Sequence, residues 1–401
     1  MKRILSNISH QERRNEMRTF AEWVLPGHPD KISDRIADSI VDTALALDSE
    51  ALVGIEVAIH RDHVFLDGRI ACPGAEGINF KKIVKDIFRE SGYGKVFLPD
   101  PEKLKILTDL CLGDFRPEEK FIRTISDDQN IITGFAEFNP NTNHLPLAHF
   151  AAWTIAQSFD ELRKELPGQL GSDGKVLVVI NSNIDSSELR HQLEAVSFSI
   201  HHHADLSTIE IVTFAKKVVE KAKKQLKQVS FEWPGGKTEV VVNGAGDFAV
   251  GGPEGDNGLS GKKLVIDAYG PHLPIGGGAL SGKDPHKIDR IIALRARQIA
   301  KHIAIAGIAE RVLVHLAFAP GDREPRWKEI QFGAVNHNEN SITWKVADKS
   351  LTERWLSGYD LTIEGTFADL GLEKVLWKEL AKWGHFTDPN LPWERWNPGR
   401  V

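Results

Sequence analysis

Three short segments place charged side chains next to glycines, a combination typical of sites that bind phosphate groups. They are residues 27–31 (GHPDK), 251–256 (GGPEGD) and 276–290 (GGGALSGKDPHKIDR). Glycine lets backbone N–H groups approach a ligand closely, and N–H groups at a helix start favour anions. Lysines suit a polyphosphate, and carboxylates suit Mg²⁺ held between protein and phosphate oxygens. The candidates are Lys262, Lys263, Lys283 and Lys287 for phosphate, Asp30 and Asp289 for Mg²⁺, and His28 as the neighbouring imidazole.

Neither standard phosphate-binding motif fits these segments. Residues 277–282 have the glycine spacing of G-x-x-x-x-G-K-[ST] and Lys283 follows them, but Asp284 stands where serine or threonine must bind Mg²⁺. Two prolines also interrupt the buried strand that should precede such a loop. The glycines of residues 244–246 lack the third glycine and the βαβ context of a dinucleotide-binding fold. The sequence therefore indicates a different kind of phosphate site.

Length and composition limit the class of protein. A chain of 401 residues, with 41% hydrophobic and 26% charged residues, is long enough for about two to three globular domains. The formal net charge of −6 argues against nucleic-acid or anionic-membrane partners, because these need a basic surface. Cys72 and Cys111 are too few for a disulfide framework, and no apolar run is long enough to span a membrane. We expect a cytoplasmic protein without such partners.

The elements that position the candidate residues follow from hydrophobic periodicity and turn signals. Helices are predicted after Pro29 and over residues 77–91, 147–165, 187–197, 209–229 and 285–306. Strands are predicted over residues 52–59, 63–66, 131–137, 176–180, 312–318 and 342–346, with a turn at 171–174. Residues 92–126 are predicted to form an irregular connection, and the glycine-rich residues 243–282 a long loop with short strands.

This alternation predicts an α+β fold of three comparable blocks, rather than a doubly wound parallel sheet. The predicted units are a tail (1–18), an N-terminal domain (19–118), a central domain (126–247) and a C-terminal domain (248–396), with segments interleaved in space. The role of residues 1–16, and whether translation starts at Met17, remain open at this point.

Taken in order, the motifs resemble those of the S-adenosylmethionine synthetase (methionine adenosyltransferase) family. The resemblance covers residues 19–396, and the chain would be a divergent member. It is carried by GHPDK with the helix KISDRIADSIVD, DDQNIITGFAE, SDGKV, DFAVGGPEGDNGLSGKKLVIDAYG, GGGALSGKDPHKIDR and KWGHFTDPNLPWE. GHPDK and GGGA-x-SGKD are each highly specific. The implied fold is α+β, with three similar two-layer sheet-and-helix domains in a pseudo-threefold arrangement.

The resemblance implies that methionine sulfur displaces the whole tripolyphosphate from C5′ of ATP, and that hydrolysis to phosphate and diphosphate follows. A leaving group with roughly four to five negative charges must be stabilised more in the transition state than in bound ATP. The implied cofactors are two Mg²⁺ ions per site and K⁺. The implied assembly is a homodimer or homotetramer with active sites at the subunit interface.

The same resemblance assigns a role to each candidate residue. His28 would lie at the bridging O5′ and Phe248 would stack on the adenine. The implied sets are His28, Lys175, Lys283 and Lys287 for catalysis; Asp173, Phe248, Asp256, Lys262 and Lys263 for ATP; Asp128, Gln129 and Arg69 for the amino-acid substrate; and Asp30, Asp289 (Mg²⁺) and Glu56 (K⁺) for metals.

Departures from the family pattern lie mostly on the methionine side. Arg69 stands where the family has a glutamate that helps hold the amino acid, and a guanidinium cannot accept a hydrogen bond from an ammonium. Residues 125–130 (ISDDQN) replace a glycine-rich motif, and residues 113–118 (GDFRPE) replace the usual gating loop. Lys262 stands where arginine is usual, which exchanges a bidentate fork for a point charge.

These departures leave alternatives open. The acceptor is either methionine or another thioether, for example one with an extra acidic group for Arg69. A hypothesis of a different class is a non-catalytic homologue that binds ATP or tripolyphosphate and regulates a true synthetase.

Three other charged patterns have a simpler structural interpretation. Asp34, Asp38 and Asp42 follow Asp30 at four-residue steps and are interpreted as a solvated helix face rather than further metal ligands. The three histidines of residues 201–203 are interpreted as a surface segment rather than a metal site. The lysines of residues 216–227 are interpreted as the exposed face of an amphipathic helix rather than a nucleic-acid contact.

Overall fold

The computed structural model describes residues 16–185, 188–227, 237–336 and 341–397. The strands are β1 (Glu16–Val24), β2 (Leu52–His60), β3 (His63–Ala71), β4 (Lys105–Gly113), β5 (Asn130–Glu137), β6 (Leu170–Asp185), β7 (Glu188–His202), β8 (Glu239–Val242), β9 (Gly258–Leu259), β10 (Arg311–Phe318), β11 (Trp327–Asn336) and β12 (Ser341–Val346). The helices are α1 (Pro29–Leu47), α2 (Phe80–Ser91), α3 (Pro117–Phe121), α4 (Leu147–Glu165), α5 (Thr208–Leu226), α6 (Leu264–Asp267), α7 (Ile288–Ile305), α8 (Lys349–Leu356), α9 (Ile363–Leu370) and α10 (Trp377–Trp383).

The strands form three four-stranded sheets, and each sheet takes one strand from a distant part of the chain. The orders are β1-β6-β7-β8, β4-β3-β2-β9 and β12-β11-β10-β5. Helices α4 and α5 pack on the first sheet, α1 on the second and α7 on the third. The α+β prediction of three similar sheet-and-helix units is confirmed. Because β1, β5 and β9 join sheets built mainly from other regions, the connections around them must cross between units.

Helix α1 begins where the sequence predicts. Pro29 occupies the first helical turn, where its missing N–H would have no intrahelical partner. The Nδ1 atom of His28 caps the helix by accepting a hydrogen bond from the Asp30 N–H at 3.2 Å. Ile32 and Ile36 are fully buried, and α1 packs on β2. Each such side chain contributes about 1.5–3 kcal/mol through burial, so the start of α1 is firmly held.

The aspartates of α1 are buried, so the prediction of a solvated face is wrong. Asp34 and Asp38 have no exposed surface, and Asp42 is half-buried. Asp34 accepts a hydrogen bond from the Gly261 N–H at 2.8 Å, and Asp42 accepts the Trp377 N–H at 2.9 Å. These carboxylates therefore fasten distant loops to α1. The sequence pattern missed this because their partners lie more than 200 residues away.

The helix predicted over residues 187–197 is wrong, because β7 occupies this region. The strand pairs antiparallel with β6 and parallel with β8. Val196, Phe198 and Ile200 are buried at alternate positions, which is the period of a strand. Pairing on both edges thus decides the structure of a segment whose first residues have good helix propensity.

Other local predictions also need correction. The turn predicted at residues 171–174 lies within β6, where pairing with β7 changes register between Leu170 and Gly174. The predicted connection of residues 92–126 contains β4 and α3, and β11 was not predicted. In contrast, the prediction for residues 147–165 matches α4 at both ends. No helix in the described ranges combines the length and apolarity needed to cross a membrane.

Candidate active site

The first group of candidate residues lies around the start of α1 and is called the His28 cluster. Burial, followed by the positive charge of Lys263, lowers the pKa of His28 to about 4. The ring is therefore neutral at neutral pH. Because Nδ1 accepts the Asp30 N–H, the ring proton must reside on Nε2, which is left as a hydrogen-bond donor. The cluster consists of His28, Asp30, Asp173, Lys175, Asp256, Lys262 and Lys263, whose charges act on one another.

Asp30 is the central carboxylate of the His28 cluster. It is fully buried, its Oδ1 accepts the Leu259 N–H at 2.9 Å, and its Oδ2 pairs with the ammonium group of Lys263. Lys262 lies 3.7 Å from Oδ1. Burial alone would raise the pKa of Asp30, but the hydrogen bonds from Lys263 and Leu259 outweigh it and lower the pKa. A carboxylate that is charged at neutral pH therefore lies between two lysines.

Asp173 and Phe248 flank a glycine turn on one side of this cluster. Asp173 is buried and its Oδ2 accepts the Gly252 N–H at 2.8 Å. Burial raises the pKa of Asp173 to about 6. The Phe248 ring lies 5.6 Å from the ring of His201, and a Cβ atom at Gly251 would come within 2.7 Å of that ring. Glycine at this position therefore allows the turn to approach the aromatic pair.

His201 and His202 are buried, so the prediction of a surface segment for residues 201–203 is wrong. His202 Nε2 lies 2.8 Å from an Asp247 carboxylate oxygen, and His202 N–H donates to the Phe248 carbonyl at 3.3 Å. The two histidines thus position the segment that carries Phe248. The sequence could not indicate this, because the contact depends on the strand β7 that it did not predict.

The second group, called the Lys283 cluster, lies at the start of α7 and consists of Lys283, Lys287 and Asp289. The ammonium group of Lys283 pairs with Asp289, and that of Lys287 pairs with Asp127. The Oδ1 atom of Asp289 is shielded from solvent and has no hydrogen-bond donor. A Cβ atom at Gly278 would lie 1.8 Å from that oxygen, so glycine keeps the space beside it open.

The loop that carries Lys283 is fixed to β2 and α1 through its backbone. Lys283 forms an antiparallel bridge with Gly54, and the Ile55 N–H donates to the Gly282 carbonyl at 2.8 Å. The Gly282 N–H donates to Asp38 at 2.8 Å. The Lys283 side chain therefore starts from a rigid position.

The two clusters are separate within one chain. Among the described residues, no hydrogen bond or ion pair joins the His28 cluster to the Lys283 cluster. Asp30 accepts the Leu259 N–H beside the His28 cluster, and Asp38 accepts the Gly282 N–H in the loop that carries Lys283. Eight residues of helix separate these aspartates, or about 12 Å along the axis. Within the described residues, one chain therefore presents two clusters anchored at different positions along α1.

The remaining predicted residues lie at the edges of these clusters. Glu56 is exposed on β2 and accepts a hydrogen bond from the Ser260 hydroxyl at 2.9 Å. Asp128 and Gln129 are exposed, and the Asp128 carboxylate accepts the neighbouring Gln129 N–H at 2.7 Å. Among the described contacts, neither side chain reaches the Lys283 cluster. Asp127, which the sequence analysis did not select, does so through its pair with Lys287.

Arg69 is occupied by an internal partner. Its guanidinium forms two hydrogen bonds with the Glu119 carboxylate, at 2.8 and 2.9 Å, and donates to the Asp114 carbonyl at 2.8 Å. The hydrogen bond from Arg69 lowers the pKa of Glu119 to about 2. Sequence analysis missed Glu119, although the alternating charges at positions 119, 123 and 127 were a signal for ordered pairing.

The described residues contain no group of three or more His, Cys, Asp or Glu side chains arranged to hold a metal ion. Single carboxylates such as Asp30 and Asp289 would need further oxygens from a ligand, which is how Mg²⁺ commonly binds nucleotide phosphates. The unpartnered Asp289 Oδ1 suits a cation.

Comparison with protein families covers most of the chain. Residues 16–110 match the N-terminal domain of S-adenosylmethionine synthetase, residues 123–248 its central domain and residues 250–395 its C-terminal domain. The chain belongs to the S-adenosylmethionine synthetase family. In this family member the His28 cluster draws on all three matched domains, through His28, Lys175 and Lys263. The Lys283 cluster comes from the C-terminal domain.

Proposed function

We propose that this chain transfers the adenosyl group of ATP to the sulfur of methionine, forming S-adenosylmethionine and releasing phosphate and diphosphate. The observation that carries this proposal is that three lysines assigned to the polyphosphate each pair with a carboxylate beside them: Lys263 with Asp30, Lys283 with Asp289, and Lys287 with Asp127. Bound tripolyphosphate would form ion pairs with these lysines and displace the carboxylates from them. The released carboxylates of Asp30 and Asp289 would then be free to bind Mg²⁺.

The proposed reaction makes one bond and breaks one bond at C5′. The methionine sulfur bonds to C5′ while the C5′–O5′ bond breaks, and its electron pair stays on O5′ of tripolyphosphate. The Nε2–H group of His28 would donate to O5′ as negative charge develops there. The lysines stabilise the departing chain more than they stabilise bound ATP, so they lower the barrier. Water then cleaves tripolyphosphate into phosphate and diphosphate.

Asp30 and Asp289 would hold Mg²⁺, and Glu56 with the Ser260 hydroxyl would supply oxygens for K⁺. Bound Mg²⁺ would neutralise charge on the phosphate oxygens. The buried, unpartnered Oδ1 of Asp289 supports this assignment, because an anionic oxygen without a donor is costly unless a cation approaches.

The separation of the His28 cluster from the Lys283 cluster within one chain supports a homodimer or homotetramer. We infer that the His28 cluster of one protomer meets the Lys283 cluster of its partner, which would complete the site. Large apolar side chains remain exposed on the sheets, including Phe20 and Leu177 on the first sheet and the cross-strand pair Phe65 and Leu107 on the second. Such sheet faces suit a contact with a second copy.

The pairing of Arg69 with Glu119 bears on the acceptor. A thioether with an extra acidic group would have to displace Glu119 from a bidentate contact. Methionine needs no such displacement, so methionine is the acceptor in our proposal.

The test is a direct assay of the product. Purified protein is incubated with ATP, Mg²⁺ and K⁺, and with either methionine or thioethers that carry an additional carboxylate, and sulfonium products are identified by mass spectrometry. We expect a methionine-derived sulfonium with release of phosphate and diphosphate. A sulfonium formed only from another thioether would refute methionine as acceptor. ATP binding without any sulfonium would refute transfer and favour the regulatory homologue.

Variants assign the chemistry to the clusters. His28→Ala should lower kcat by about 10²–10³-fold, because it removes a donor to the developing oxyanion. Lys283→Met should lower kcat similarly. Lys85→Met is the matched control for Lys283→Met, because Lys85 pairs with Glu102 on the exposed surface of α2. Equal activity of the Lys283 and Lys85 variants would contradict the assignment.

A further inference from the structure

A short segment that follows β4 is tied to β3 and to the region of the Lys283 cluster by three ion pairs of alternating sign. We call residues 114–128 the strap; it contains α3 and the turn that follows. Its paired residues recur every four positions, and each contacts the opposite charge on a different element. The pairs are Glu119 with Arg69 on β3, Arg123 with Asp284 beside Lys283, and Asp127 with Lys287 before α7.

The middle pair is the most buried of the three. Arg123 is 8% exposed and Asp284 is 0% exposed. Arg123 Nη1 donates to Asp284 Oδ1 at 2.8 Å, while Nη2 donates to the carbonyls of Glu50 and Ala51 at 3.1 and 3.2 Å. Nη2 also lies 2.6 Å from Nδ1 of His286. A guanidinium can only donate, so this histidine nitrogen accepts.

Asp284 transmits this contact to the loop of Lys283. Its second oxygen accepts the Val53 N–H at 2.8 Å, its first accepts the His286 N–H at 2.9 Å, and its own N–H donates to the Val53 carbonyl at 3.1 Å. Burial opposes ionisation, but the charge of Arg123 and hydrogen bonding from the Val53 N–H help to lower the pKa of Asp284. The carboxylate is therefore charged and depends on Arg123 for compensation.

Lys283 is the residue next to this carboxylate and forms a bridge with Gly54, one residue beyond Val53. A shift of Asp284 would therefore move the Lys283 backbone and the starting point of its side chain. The ammonium group itself contacts Asp289, not Arg123. The contact route from Arg123 to the Lys283 side chain therefore runs through Asp284 and the loop.

We propose that Arg123 is a positioning residue that sets Lys283 for polyphosphate through Asp284, with the strap as the element that holds it in place. This rests on the proposed function, because it assumes that Lys283 binds the polyphosphate. The strap thereby gives the Lys283 loop a support in addition to that from α1. Arg123 does not touch substrate in this arrangement.

A general structural role would also make Arg123 important, so the test must separate the two. If Arg123 acts through Lys283, its effect on anion binding must disappear when Lys283 is absent. If Arg123 only stabilises the fold, its effect must be the same with and without Lys283. A double-mutant cycle measures this difference.

The experiment uses the full chain and inorganic tripolyphosphate, with binding measured by calorimetry with and without Mg²⁺. Arg123→Lys retains the charge but cannot reach all four acceptors. We expect its tripolyphosphate Kd to rise about fivefold and its kcat to fall about tenfold, with KM for methionine changed less than about twofold. In a Lys283→Met background the same change should alter Kd by less than about twofold. Arg89→Lys is the control, since Arg89 forms exposed pairs with Asp86 and Glu102.

The outcomes separate this inference from the proposed function. A wild-type protein that makes no sulfonium refutes the proposed function, while the tripolyphosphate cycle still tests Arg123. Equal effects of Arg123→Lys in both backgrounds, or no effect in either, overturn the positioning role. If Arg123→Lys does not fold, the paired change Arg123→Met with Asp284→Asn removes both buried charges and is measured in the same cycle.

Discussion

Asp38 and Arg290 form an ion pair without solvent exposure, with 2.6 Å between Oδ1 and Nη2. The pair joins α1 to α7 directly beneath the Lys283 loop. Asp38 also accepts the Gly282 N–H at 2.8 Å, and Arg290 donates to the Lys283 carbonyl at 2.7 Å. The guanidinium stacks over the ring of Trp377 at 4.3 Å. One buried pair therefore links two core helices, the C-terminal segment and the site.

Removing one charge of this pair should destabilise the fold strongly. Asp38→Asn keeps the size of the side chain but leaves Arg290 buried without a counter-charge, which costs about 3–5 kcal/mol. Urea unfolding at fixed protein concentration measures the loss. Asp86→Asn, in an exposed pair with Lys82, should cost less than about 1 kcal/mol. Similar stability of the two variants would show that the Asp38 pair is not the link described.

Two neighbouring glycines should respond very differently to a methyl group. At Gly278 a Cβ would lie 1.8 Å from Asp289 Oδ1, whereas at Gly277 nothing lies within 4 Å. Gly278→Ala must push Asp289 out of its position, so the Mg²⁺ concentration needed for half-maximal activity should rise about tenfold or more. Gly277→Ala is the matched control and should behave as wild type. An unchanged Mg²⁺ requirement in Gly278→Ala would argue against Asp289 as a ligand.

Local signals in the sequence were sufficient for several elements that build the site. The start of α1 at Pro29 and the full extent of α4 follow from helix caps and apolar spacing over neighbouring residues. Most lysines and aspartates of both clusters were also identifiable, because glycines beside charges are a local pattern, whereas Asp173 and Lys175 were assigned by the family resemblance alone.

Contacts between distant segments were not predictable in this way. The sequence predicts that Asp38 is a surface residue. In the structure it is paired with Arg290, which lies 252 positions later in the chain. The sequence predicts that Arg69 is available to bind a ligand. In the structure α3 places Glu119 against it. The strand β7 is fixed by pairing with β6 and β8 rather than by its own propensity. Hydrophobic periodicity is evaluated over a short stretch of sequence, so it gives no information about partners that lie far away in the chain.

A buried neutral histidine should make stability depend on pH. Burial, followed by the charge of Arg297, lowers the pKa of His149 to about 3, and its ring packs 4.9 Å from Trp23. Between pH 6.5, near the pKa of an unfolded histidine, and the folded value, the unfolded chain binds more protons at this site. Stability is therefore lost as pH falls through this window.

His149→Gln removes the titrating group and isolates its contribution. The stability of wild type minus that of the variant should fall by about 2 kcal/mol between pH 7.5 and pH 5. Urea unfolding of both proteins across this range provides the measurement. Curves that stay parallel with pH would show that His149 is not held neutral.

Binding of the adenine base and binding of the polyphosphate should depend on different residues. A Phe248 variant distinguishes the two contributions. Its ring lies 5.6 Å from His201 at a tilt of 40°, and its N–H donates to His202 at 3.4 Å, so its position is fixed before a ligand binds. Stacking of a base on an aromatic ring contributes about 1–3 kcal/mol. Phe248→Ala should therefore raise the Kd for ATP by about tenfold. The Kd for tripolyphosphate, which has no base, should stay unchanged.

Phe138→Ala, at a ring that is 57% exposed, is the control for loss of an aromatic side chain. Equal weakening of ATP and tripolyphosphate binding by Phe248→Ala would mean that Phe248 supports the whole site rather than the base.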